Sequence, residues 1–61
     1  MITGAELKSI LREAGISQKK CAEKVKLPEP YISEYVNNRR NLKQDELARI
    51  ECYADAIRAI L

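Results

Sequence analysis

Histidine, phenylalanine and tryptophan are absent from this 61-residue sequence, which holds only two cysteines, two prolines and two glycines. Without histidine, the isolated Cys21 and Cys52 cannot complete a Cys/His zinc site. A cysteine nucleophile would likewise have no imidazole base. No glycine-rich loop is present to cradle a phosphate. No run of ~18 apolar residues could span a bilayer, and no signal-peptide apolar region precedes a cleavage site. The expectation is a cytoplasmic protein that is not an enzyme and uses no metal or cofactor. With three tyrosines as the only aromatic residues, aliphatic side chains must build most of the core.

What is present fits one small domain spanning residues 1–61. Hydrophobic residues make up 46% and charged residues 33%, a globular rather than a disordered composition. A chain this short buries only roughly 60% of its unfolded surface, so its stability is marginal and partners matter. The net charge is +2, and its distribution says more than its sum. Lys19, Lys20, Lys24 and Lys26 form one basic run; Arg39, Arg40 and Lys43 form another. The acids Asp45, Glu46, Glu51 and Asp55 lie beyond both.

Periodicity predicts helices throughout and no strand. Thr3 and Glu6 have capping-box spacing, and Leu7, Ile10, Leu11 and Ala14 follow at helical intervals. Gly15 suits the left-handed stop. Ser17 caps a second helix in which Cys21, Ala22 and Val25 form the inward stripe. Lys26-Leu27 makes a tight turn. Pro28 and Pro30 are tolerated only in a first helical turn, so a third helix starts at Pro28 or Glu29. Ile32, Tyr35 and Val36 form its apolar face, and Asn37-Asn38 ends it. After a basic loop anchored by Leu42, a C-terminal helix of about 43–60 carries Leu47, Ile50, Ala54, Ile57 and Leu61, with Tyr53, Ala56 and Ile60 beside them. Both cysteines are expected as buried free thiols. The predicted fold class is all-α, with two short helices at about 17–37 joined as DNA-reading units are.

Gly15-Ile16-Ser17-Gln18, Cys21-Ala22-Glu23-Lys24-Val25 and the run Tyr31 to Arg40 (YISEYVNNRR) together resemble the lambda-repressor-like, Cro/Xre-type helix-turn-helix family. The ending ISE-x-V-N-x-R-R is most similar to the branch containing HigA-type antitoxins. The resemblance covers about residues 3–57 and implies a small four- to five-helix DNA-binding domain. It also implies that Gln18, with Lys19 beside it, contacts a phosphate. Glu29, Pro30 and Glu34 would read bases, with Tyr31 and Ser33 as neighbours. Asn37, Arg39, Arg40 and Lys43 would grip the DNA backbone.

Three departures from the family pattern stand out. Asn38 replaces the usual glycine. Leu11 and Val36 occupy positions where many members pair an arginine with a glutamate; replacing both halves of a buried ion pair by apolar residues is often neutral or stabilising. The exposed face of the third helix carries Glu29 and Glu34 and no cation. Either those acids accept from cytosine N4, or nearby lysine or arginine holds them, or the surface meets a protein. Two functions are therefore expected to compete. One is a sequence-specific regulator of double-stranded DNA, a small bacterial or phage repressor. The other is a protein-interaction module of the same fold, an antitoxin or antirepressor with a protein partner. Ile57, Ile60 and Leu61 are expected to form a homodimer interface; the alternative is that this end folds back over the first helix near Ile2.

Overall fold

The computed structural model describes residues 2–61 and contains four α-helices: α1 (Gly4–Ala14), α2 (Gln18–Val25), α3 (Glu29–Val36) and α4 (Gln44–Ile60). No strand occurs among the described residues, and no helix there is long and apolar enough to cross a membrane.

Local chemistry sets the helix boundaries. Thr3 Oγ1 accepts from the Glu6 backbone N–H at 3.1 Å, and Glu6 Oε1 accepts from the Thr3 N–H at 3.4 Å, closing the expected capping box. Ser17 Oγ accepts from the Lys20 N–H at 3.1 Å. At α4, Glu46 Oε1 accepts from the Lys43 N–H at 2.9 Å. A left-handed residue follows each of the first three helices: Gly15 (φ 70°), Lys26 (φ 60°) and Asn38 (φ 59°). At Asn38 the turn is closed by Asn38 N–H to Tyr35 O (3.1 Å) and Arg39 N–H to Glu34 O (2.7 Å). That pair of hydrogen bonds is the Schellman pattern, and it explains how asparagine replaces glycine there.

α2 packs on α3, α1 packs on α3 and α4, and α4 packs on α2. Their shared core comprises Ile2, Leu7, Ile10, Leu11, Cys21, Ala22, Val25, Ile32, Val36, Ile50, Ala54 and Ile57. Leu11 and Val36 both lie in it, so the positions expected to have lost an ion pair are filled by hydrocarbon. No polar or charged residue is buried among the described residues.

Three contacts fix how α3 sits in this frame. A methyl group on Gly4 would collide with the backbone carbonyl of Tyr35, so α1 begins with a glycine because α3 ends against it. The Tyr35 hydroxyl donates to Ile2 O at 2.6 Å. Burial, then the carboxylates of Glu51 and Glu6, raise the Tyr35 pKa and keep that donor protonated. Arg49 Nη1 donates to Val25 O (3.3 Å) and Lys26 O (3.4 Å), which ties α4 to the carbonyl end of α2 where a cation suits the helix dipole.

Three expectations are corrected. Cys52 is exposed, because the buried stripe of α4 runs through Ile50, Ala54 and Ile57 and leaves position 52 on the outer side. Leu47 is only half-buried. Ile57, expected on a free apolar end, is 6% exposed and part of the core. α4 does fold back towards α1: the Ile2 N–H donates to Glu51 Oε1 at 2.9 Å, and Arg58 pairs with Glu6 at 3.6 Å. Ile60 and Leu61 remain 85% and 63% exposed.

Candidate nucleic-acid interface

α3 presents one face to the core and the opposite face to solvent. Ile32 and Val36 point inward, and helical geometry places Glu34, two residues from each, on the far side. Towards α2, the outer face borders an open notch lined by Gln18, Glu29, Pro30, Ser33 and Glu34. The fold thus brings Gln18 beside the third helix. Gln18 and Lys19 open α2, where a first helical turn leaves backbone N–H groups free for an anion.

The two carboxylates of this face differ. Glu34 Oε1 accepts from Arg40 Nε at 2.7 Å. The guanidinium carbon of Arg40 lies 3.9 Å from the centre of the Tyr31 ring, within cation–π range. The hydrogen bond to Glu34, the main influence, raises the Arg40 pKa, so the cation is fixed. Glu29 is exposed and makes no ion pair among the described residues. Its place in the first turn of α3 is favourable for an acid. Of the three resolutions considered for these acids, an arginine clamp therefore applies to Glu34 and not to Glu29.

The cations assigned to phosphate divide in the same way. Lys19, Arg39 and Lys43 are exposed and make no ion pair among the described residues. Arg40 is committed to Glu34 and Tyr31. Asn37 spends its side-chain amide on Ser33 O at 2.8 Å, inside its own helix end. Pro30 is exposed; Tyr31 and Ser33 are half-buried. Sequence reasoning allowed for a nearby lysine or arginine holding these acids but did not single out the Glu34–Arg40–Tyr31 cluster. A signal existed, since Glu34 and Arg40 are opposite charges either side of a predicted reversal, but only the Asn38 turn brings them together.

An all-helical domain in which two short helices meet through a three-residue turn, the second with an exposed outer face, is a helix-turn-helix protein. The chain belongs to the Cro/C1-type helix-turn-helix family, whose sequence model matches residues 7–55. Membership places it among DNA-binding regulators in general. No curated protein and no solved structure matches the chain.

Proposed function

We propose that this protein is a sequence-specific transcriptional regulator of double-stranded DNA, a small repressor of bacterial or phage type that binds a pseudo-palindromic operator as a homodimer. One observation carries the reading. The outer face of α3 lies open beside Gln18, and Lys19, which opens α2, and Arg39 and Lys43, which follow α3 in the chain, are exposed and make no ion pair among the described residues. α3 would enter the major groove while those cations, with Gln18, meet phosphates on either side. Glu29, which makes no ion pair among the described residues, suits cytosine N4.

Dimerisation would use Ile60 and Leu61, the two large apolar side chains left exposed among the described residues. Two copies with half-site centres ~34 Å apart double the contacts a single small domain makes. Ile60→Asp with Leu61→Asp is the variant to test, because Ile57 serves the core. Sedimentation of the parent and variant, free and on DNA, decides it. A parent that stays monomeric at high micromolar concentration in both conditions removes the dimer from the proposal.

Binding to a random duplex library at two salt concentrations tests the main reading. The parent protein selects a consensus and loses affinity steeply with salt, and Arg39→Ala lowers the salt slope by about one unit without changing the consensus. The absence of any salt-dependent binding would instead favour the second reading, a protein-interaction module in the manner of HigA-type antitoxins or antirepressors. The carboxylate of Glu29 beside Pro30, which makes no ion pair among the described residues, is what favours that alternative.

A further inference from the structure

Arg40 is not placed as a free phosphate clamp. From the loop after α3, its side chain folds back across the outer face of that helix. There it meets Glu34 at 2.7 Å and stacks on Tyr31 at 3.9 Å. A guanidinium carries five N–H donors. Nε is spent on Glu34, and the Nη edge has no partner among the described residues. The second carboxylate oxygen of Glu34 likewise accepts no bond there. The cluster therefore displays a carboxylate acceptor directly beside a row of donors, and both sit on the half-exposed surface of the third helix.

We propose that Glu34 and Arg40 read one C·G base pair as a single preformed unit, with Tyr31 as the platform that holds the guanidinium flat. This rests on the DNA-binding reading above. In the major groove a C·G pair shows the cytosine N4 donor next to the guanine O6 and N7 acceptors. Glu34 takes the cytosine amine, and the Nη edge of Arg40 takes O6 and N7. Guanine alone offers two adjacent acceptors to one guanidinium edge. A T in place of C would set a methyl group and an acceptor against the carboxylate. Charge balance favours the same arrangement. Moving Arg40 onto a phosphate would leave Glu34 uncompensated inside a groove lined by phosphates. Holding both side chains in place before binding also removes much of the ordering cost that a flexible arginine carries.

Selection from random duplex DNA, with parent protein, Arg40→Lys, Arg40→Ala, Glu34→Ala and the Glu34→Ala/Arg40→Ala pair, tests this. Arg40→Lys keeps the charge but loses the planar fork and much of the stacking. The parent consensus should contain one C·G pair whose preference falls in each single variant by roughly 5- to 150-fold, the range of one good bidentate contact. The double variant should lose little more than either single one, because the two residues act together. The salt slope of Arg40→Ala should match the parent, while Arg39→Ala loses about one unit. A uniform loss of affinity in Arg40→Ala, with a slope lower by about one and an intact consensus, would make Arg40 a phosphate contact and overturn the proposal. So would an Arg40→Lys consensus identical to the parent's. A parent that selects no sequence at any salt concentration removes the DNA-binding reading itself, an outcome distinct from both. Equal urea midpoints across the variants confirm that each is folded.

Discussion

The two faces of α3 are held by different forces. The inner face, Ile32 and Val36, is closed by hydrocarbon on α1 and α2, and its position is fixed by close approach at Gly4 and by the Tyr35 hydroxyl on Ile2. The outer face carries an ion pair, a stacked arginine and the exposed carboxylate of Glu29, all partly in water. Burial of apolar area stabilises by about 25 cal/mol per Å², while exposed ion pairs contribute little. The inner face therefore carries the fold. The outer face is free to be shaped for recognition, since changes there need not threaten folding.

The strongest way to break this division is at its centre. A domain of this length has a total stability of roughly 3–9 kcal/mol. Ile32 is fully buried, and Ile32→Ala should cost about 2–5 kcal/mol through lost burial and the cavity left behind. Most of the native population would then be lost in mild urea, read as a shifted midpoint by circular dichroism. A shift no larger than that of a surface substitution would show that α3 is not seated by its inner face.

Gly4→Ala probes the same face through the backbone. The new methyl group meets the Tyr35 carbonyl, so α1 must move off α3 or unwind its first turn. Overpacking of this kind costs about 1–3 kcal/mol, against a gain in helix propensity of under about 1 kcal/mol. The net effect should be destabilising, contrary to the usual result of replacing a helical glycine. A stabilised Gly4→Ala variant would mean the two helices do not touch there.

Much of the inner face was legible in the sequence, and little of the outer. Thr3 and Glu6, Ser17, and the spacing of Ile32 and Val36 are local signals, and each appears where the pattern puts it. Lys26 was read as part of a turn but not as a left-handed residue, because lysine carries no such signal. Arg49 carried no signal in the sequence beyond helical spacing to Asp45, with which it pairs; its bonds to Val25 and Lys26 depend on how α4 crosses α2. Ile57 was expected at a homodimer interface with Ile60 and Leu61, whereas it shares the core with Ile2 from the segment before α1. Of the candidate site, the resemblance named Gln18 and Glu29 separately, and only the fold shows that they line one notch. The capture of Arg40 by Glu34 was not legible, since residues six apart meet only once a helix has ended.

On the outer face the expected stability effects are small. Arg40→Ala and Glu34→Ala should leave the urea midpoint close to the parent's, because the pair is partly solvated. Their effect belongs to DNA selection instead. A midpoint shift as large as that of Ile32→Ala would erase the contrast between the two faces.

The two cysteines extend the contrast beyond α3. Cys21 faces inward from α2 and is fully buried, while Cys52 faces outward from α4. Burial pushes the Cys21 thiol from 9.0 up to about 11. At pH 8, iodoacetamide should therefore label Cys52 in the native protein and Cys21 only after unfolding. The same shift makes stability depend on pH. The native state holds the Cys21 proton more tightly than the unfolded chain, so this contribution is complete below pH 9 and is lost as pH rises through about 11. Lysine and tyrosine titrate in that window too, so the measurement is differential. In a Cys52→Ser background, urea midpoints of the Cys21 protein should fall more between pH 9 and 11 than those of the matching Cys21→Ala protein. Parallel pH profiles, or labelling of Cys21 at the rate of Cys52, would place Cys21 in contact with water and breach the packing of α2 on α3.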